Sequence, residues 1–313
     1  MKVLFIGCRY IGDAVLSFGV INWLVETIPN LDLTVATPTA PQELYNGIPG
    51  LSKVFIEERK KRGLHWWDLW RQVARKRWDL VIDMRGSAIG FMLMTKRRLI
   101  WSAKPSSKHR VEDLANMVGA KEALKPKIWV EPQDVDAIQD LPENMILFAP
   151  AANWVGKQWP QECFAALFEK LSQQETFKNS KVGIIAALNE REACQSLCDA
   201  LPKGKFVDLI GRFTLKQLFS VMTYKGLLFV GNDSGLMHMA SASGIPVVGL
   251  FGPSREENFA PVGPRATYVR TDESYDELVH RIHHFKHEGS LMTNLSVEKV
   301  FQACMSHFSP EII

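Results

Sequence analysis

The stretch Phe229-Val-Gly-Asn-Asp-Ser-Gly-Leu-Met-His-Met-Ala-Ser-Ala-Ser-Gly-Ile-Pro-Val-Val-Gly-Leu-Phe-Gly-Pro-Ser254 limits the fold more than any other part of the chain. Leu227 to Val230 is a short apolar run, suited to a strand buried on both faces. Gly231 to Gly235 breaks that run with small residues that let the backbone bend sharply. Met237, Ala240 and Ser241 then recur at helical spacing, with Asp233 or Ser234 placed to cap the helix. Gly244-Ile-Pro ends it, and Val247 to Phe251 is the next strand. Strand, loop, helix and strand in this order belong to a parallel α/β sheet. A helix entered from a glycine-rich loop also presents unpaired N–H groups and a positive dipole end, which suit a phosphate.

The same alternation occupies the rest of the chain. Lys2 to Gly7 reads as a strand, Ala14 to Thr27 as a helix closed by Pro29, and Leu31 to Ala36 as a second strand. Further strands are expected at 53–56, 80–83 and 99–101, with a helix over 66–77. A polar stretch, Ala137 to Asn144, follows a proline-punctuated segment and is read as a linker. Beyond it, strands are expected at 145–149, 181–186 and 206–209, with helices over 161–173, 189–201, 215–224 and 296–308. With 313 residues there is room for two domains. The expected architecture is α/β, with two facing Rossmann-like domains: residues 1–140, residues 145–295 and a last helix in 296–313.

Charge is distributed unevenly. The net charge is only +3, yet Lys53 to Arg110 holds 16 Lys/Arg against 5 Asp/Glu, a local +11. That region is expected to meet an acidic partner. Its cations are interleaved with Trp66, Trp67, Trp70 and Trp78, a mixture that suits an anionic membrane surface or a nucleic acid. The five cysteines are odd in number and show no CxxC spacing, so a disulfide framework is not indicated and a reducing compartment is expected. The first apolar run is too short for a signal peptide, and no run approaches the roughly 20 apolar residues of a membrane span.

Three motifs, in order along the chain, resemble glycosyltransferase family 9, the lipopolysaccharide heptosyltransferases. They are Ile11-Gly-Asp-Ala-Val-Leu-Ser17, Lys157-Gln-Trp-Pro160, and Gly231-Asn-Asp-Ser-Gly-Leu-Met-His238 with its following Gly-Ile-Pro-Val-Val-Gly-Leu-Phe-Gly-Pro. The resemblance implies a GT-B fold with an interdomain cleft and a C-terminal helix that crosses back to the first domain. It implies an inverting, metal-independent transferase without cofactor. On its own residues Asp13 is a helix cap more readily than a base; the resemblance makes it the general base. Lys157, otherwise an ordinary surface lysine, is implied to neutralise the leaving diphosphate. Asn153, Glu190, Phe213, Asp233, Ser234, Gly235 and His238 become donor-binding candidates: the N–H groups of Ser234 and Gly235 for the diphosphate, Asp233 for a sugar hydroxyl or to orient the loop, His238 for a phosphate or the acceptor, Glu190 for the ribose and Phe213 against the base. Ala151 and Ala152 stand where relatives often carry hydroxyls, so phosphate contact there falls to backbone N–H groups or Asn153.

The implied partners are an ADP-sugar donor and an anionic lipid-linked saccharide, the inner core of lipid A. Arg59, Lys60 and Lys61 are the acceptor-binding candidates. The expected reaction moves heptose from ADP-heptose to Kdo or heptose of the lipopolysaccharide inner core. It would take place in the cytoplasm, on the inner face of the inner membrane, and without nucleic acid. Two readings stay open beside it: the same machinery with another nucleotide sugar, and a non-catalytic nucleotide- or sugar-binding protein. Two apparent metal motifs are set aside. His280, His283, His284 and His287 share a helix face, but no carboxylate or cysteine completes the set. Asp134-Val-Asp136 looks like a DxD, but it sits in the expected linker and follows no strand.

Overall fold

A computed structural model describes residues 1–58, 63–102, 106–285 and 289–308, except for the side chains of 282–285. The chain divides into two units, Met1–Glu131 and Pro132–Ile313.

The first unit contains β1 (Lys2–Ile6), α1 (Ile11–Thr27), β2 (Asp32–Pro38), β3 (Leu51–Glu57), α2 (Leu64–Val73), β4 (Trp78–Asp83), α3 (Ile89–Met92), β5 (Thr95–Ile100) and α4 (Arg110–Val118). Its strands form one parallel sheet in the order β3-β2-β1-β4-β5. β1 is buried at Val3, Leu4, Phe5 and Ile6 because it lies in the middle and is covered on both faces. On one face α2 contributes Leu69 and Val73, and α3 with the residue after it contributes Ile89 and Leu93, to a cluster with Leu4, Ile6 and Val81. Helix α4 packs against α1.

The second unit contains α5 (Pro132–Asp136), β6 (Met145–Ala149), α6 (Gln161–Ser172), β7 (Val182–Ile184), α7 (Arg191–Ala200), β8 (Phe206–Asp208), α8 (Leu215–Tyr224), β9 (Gly226–Asn232), α9 (Gly235–Ser243), β10 (Val247–Phe251), α10 (Glu256–Phe259), β11 (Ala266–Arg270), α11 (Tyr275–Phe285) and α12 (Val297–Ser306). Its parallel sheet has the order β11-β10-β9-β6-β7-β8. In both sheets the order reverses beside the first strand of the unit, between β1 and β4 and between β6 and β9. Such a switch point leaves a crevice at the carboxyl ends of the two strands, where ligands bind in open α/β sheets.

Three details differ from the sequence reading. The unit boundary falls between Glu131 and Pro132, ahead of the expected 137–144 linker. Residues 132–144 are not an extended connection: α5 packs on α8, and Ile138 and Leu141 are buried. Helix α12, expected to cross to the first domain, packs on α6, β10 and β11, with Val300 and Cys304 fully buried in the core of the second unit. Asp134 of the apparent DxD is buried and forms a 3.1 Å ion pair with Lys216 of α8, which gives its carboxylate a structural task.

Candidate active site

In the first unit the loop after β1 leads straight into α1. Gly7 is obligatory there, since a Cβ would lie 2.4 Å from the Tyr45 hydroxyl. Helix α1 begins at Ile11, earlier than the sequence suggested, and Tyr10 is its N-cap with no side-chain cap bond. Asp13 therefore stands third in the first turn, half-buried, and does not occupy the cap position. A carboxylate there is favoured by the helix dipole. Nearby, burial and then the charge of Asp13 push the Cys8 thiol up to about 12. The neighbouring switch-point strand ends in a second ordered turn. Asp83 accepts from the N–H of Arg85 and from the N–H and hydroxyl of Ser87. Arg85 is held by Glu57 at 2.5 Å and lies over the Trp66 ring. Asp83-Met-Arg-Gly-Ser87 was not singled out from sequence, although an aspartate closing a buried strand before Gly-Ser is a turn signal. Arg59, Lys60 and Lys61 lie outside the described residues.

In the second unit the structure brings two distant motifs together. The loop after β6 carries Lys157 at the end of a short 3-10 turn, Val155–Lys157, and the loop after β9 carries Asp233. Pairing of β6 with β9 places these loops side by side. Lys157 Nζ lies 2.6 Å from Asp233 Oδ2, an ion pair with little exposure on either side. His238 Nε2 is 3.9 Å from the other oxygen of Asp233. The two loops are also tied through Asn232, which is fully buried. Its Oδ1 accepts the Trp159 N–H at 3.0 Å and its Nδ2 donates to Pro150 O at 2.7 Å. Trp159 is anchored in turn: its indole N–H donates to Leu295 O at 2.8 Å, and its ring packs edge-on against Phe164. Leu291 N–H donates to Gly156 O, and the Ser290 hydroxyl donates to Gln158 O. A flexible lysine is thus mounted on a loop fastened from several sides.

Ser234 is the N-cap residue of α9, but its side chain makes no cap bond. Its hydroxyl is buried without a protein hydrogen-bond partner, contrary to the capping expected for Asp233 or Ser234. A nine-residue helix thus begins beside the Lys157–Asp233 pair with its first N–H groups uncapped by a side chain. His238, one turn on, is buried. Asn153 is exposed on the β6 loop, while Ala151 and Ala152 are buried and present no polar side chain.

The turns that carry the remaining two donor-side candidates, Glu190 and Phe213, touch further along the same sheet edge. Gly211 has φ +65°, and a Cβ there would be 2.7 Å from Leu188 Cβ, so only glycine lets these turns touch. The contact sets Leu188–Glu190, after β7, against Gly211–Phe213, after β8. Glu190 Oε2 accepts the Ala187 N–H at 2.8 Å, and Phe213 is half-buried under the Arg212 guanidinium.

Two parallel switch-point sheets, one of them ending in a lysine beside a helix N-terminus, are the arrangement of a doubly wound α/β protein that binds an anionic ligand. The model of glycosyltransferase family 9 (heptosyltransferase) matches residues 92–287, and the chain belongs to that family. It is 25% identical to lipooligosaccharide heptosyltransferase 2 of Haemophilus influenzae, over 87% of this chain and 89% of the relative. Against lipopolysaccharide heptosyltransferase 2 of Salmonella typhimurium the identity is also 25%, over 89% and 90%. The fold is that of the solved E. coli ADP-heptose lps heptosyltransferase II, with TM-score 0.79, 19% identity and complete coverage of both chains. It is shared with a family 9 glycosyltransferase from Veillonella parvula, with TM-score 0.81, 18% identity and coverage of 98% and 97%. The GT-B class expected from sequence is the class of this chain.

Proposed function

We propose that this chain transfers heptose, with inversion, from ADP-heptose to the Kdo or heptose of a lipopolysaccharide inner core. The observation that carries the proposal is the meeting of Lys157, Asp233 and the first turn of α9 at the switch point of the second sheet. The diphosphate sits on the N–H groups of Ser234 and Gly235, with Lys157 beside it and His238 and Asn153 at its margins. Asp233 keeps Lys157 in position. From β9 through β6 and β7 to β8 the edge spans about 14–15 Å at ordinary strand spacing. That length suits an extended nucleotide, with its ribose at Glu190 and its base on Phe213.

In the transfer step Asp13 removes the proton from the acceptor hydroxyl. The oxygen attacks the anomeric carbon on the face opposite the diphosphate, and the bond to ADP breaks with its electron pair going to the departing phosphate. Lys157 and the N–H groups of α9 stabilise the negative charge as it grows. Arg59, Lys60 and Lys61 meet the anionic acceptor. No helix among the described residues is long and apolar enough to cross a membrane. We place the enzyme in the cytoplasm, peripheral to the inner face of the inner membrane, where its lipid-linked acceptor lies.

Asp13→Ala tests the assignment. Transfer is expected to fall by about 10²–10⁴ in kcat, as for loss of a general base, while calorimetric ADP affinity stays within about twofold. Transfer by the variant at the wild-type rate removes Asp13 from the mechanism. A panel of nucleotide sugars, assayed in parallel, tests heptose as the donor.

A further inference from the structure

Helix α2 has two contrasting sides. Leu69 and Val73 are buried against the first sheet, with Trp66 and Trp70 packed on the same cluster. The opposite stripe, Leu64, Trp67 and Arg71, faces solvent at i, i+3 and i+7. Helix α3 lies in the same layer. Ile89 is buried in that cluster, and Phe91 and Met92 are turned outward. A hollow of about 320 Å³ joins the helices, lined by Trp66, Trp67, Trp70, Ile89 and Met92, with Arg85 at its wall. Trp67 is 53% exposed, Phe91 64%, Met92 59% and Met94 54%. Isolated exposed apolar side chains are ordinary, but Trp67 and Met92 share one hollow, and exposed Phe91 and Met94 flank Met92 in the chain; a grouping of this kind marks an interaction surface.

Cations border this patch. Exposed Arg71, Arg75, Lys76 and Arg77 lie on α2 and its connection to β4. Met94 accepts a hydrogen bond from the Trp78 N–H, which puts it next to Arg77. The edge strand β5 adds exposed Lys96 and Arg98, the latter bonded to Gly90 O and Leu93 O on the α3 side. Carboxylates lie among them: Asp68 on α2, Glu57 and Glu58 in one hollow with Arg71 and Arg75, and Asp79, which is bonded to Lys96. An apolar tip of Trp, Phe and Met framed by Lys and Arg has the chemistry of a bilayer interface: apolar groups reach the acyl boundary while cations meet headgroup phosphates. A nucleic acid would use the cations, but it offers the Phe91, Met92 and Met94 side chains no hydrocarbon.

We infer that this face of the first unit docks on an anionic phospholipid bilayer, with Trp67, Phe91, Met92 and Met94 inserted and the flanking cations on the headgroups. The inference rests on the lipid-linked acceptor proposed above and adds the surface that brings the enzyme to it. Sedimentation of the full chain with phosphatidylglycerol/phosphatidylethanolamine vesicles tests it, against pure phosphatidylcholine vesicles and a DNA duplex. The wild type is expected to bind the anionic vesicles at least tenfold more tightly than the neutral ones. The combined Trp67→Ser, Phe91→Ser, Met92→Ser variant, checked for an unchanged melt, is expected to lose at least tenfold of that binding. Arg75→Glu with Lys76→Glu and Arg77→Glu should remove the preference for anionic lipid. Unchanged vesicle binding by the apolar variant, or tighter binding to DNA than to vesicles, overturns the inference. Transfer is assayed separately on an acceptor stripped of its acyl chains, where the apolar variant should match wild type. Failure of the wild type in that assay counts against the proposed reaction, while vesicle binding still decides the docking face.

Discussion

Replacing Asn232 by Leu is the most direct probe of how the second unit's site is held. Leucine copies the branched shape of asparagine, so the change removes hydrogen bonds with little loss of volume. Two groups lose their partner: the N–H of fully buried Trp159, and the carbonyl of Pro150. Each buried group left unsatisfied costs about 1–3 kcal/mol, so the expected loss is about 2–6 kcal/mol. That is a large share of the roughly 5–15 kcal/mol of a typical domain. Urea unfolding followed by tryptophan emission measures it. The functional effect follows from geometry. Lys157 and Trp159 share one loop, and Asn232 ties that loop to Asp233, so Lys157 should lose its position. An error of about 1 Å in a charged group can cost 10²-fold, so kcat/KM for the donor should fall between tenfold and 10²-fold in the folded variant. A stability loss below about 1 kcal/mol together with unchanged kcat/KM would refute the reasoning.

Lys216→Met should destabilise the second unit by about 3–5 kcal/mol, because Asp134 stays buried without its counter-ion. Adding Asp134→Leu should restore most of the loss, and denaturant midpoints of the single and double variants measure both effects. The raised Cys8 thiol predicts alkaline instability: its pKa rises from 9.0 to about 12 on folding, so its contribution is complete below pH 9 and lost as pH climbs through about 12. Thermal melts across pH 8–12 should show a smaller decline for Cys8→Ala than for wild type, and equal declines would contradict the assignment.

Much of the fold was legible because period and punctuation agreed. Helix α8 runs over 215–224 as expected, since Thr214 and Gln217 form a capping box ahead of an amphipathic run. Strand β10 coincides with 247–251, a continuous apolar run bounded by proline and glycine. Edge strands were harder. Strand β11 was not foreseen, and β5 begins at Thr95 instead of Leu99, because an edge strand needs no unbroken apolar run. Proline and polar residues suggested a linker before Met145, yet Ile138 and Leu141 supply enough apolar surface to pack that stretch. In the site, Lys157 and Asp233 were each visible as motif residues. Their pairing was not, because they lie 76 residues apart and meet only once β6 and β9 are neighbours. Asn232 was hidden for the same reason, its value lying in partners remote in the chain.

The repeated strand order has a practical corollary. Because each unit has its own sheet and its own reversal of strand order, the groups proposed for the hydroxyl being attacked and those proposed for the departing nucleotide belong to different units. On the proposed assignment, substitutions in the turns after β1 and β4 are expected to change the saccharide accepted while ADP affinity is kept. Substrate range can diverge by editing one scaffold at a time.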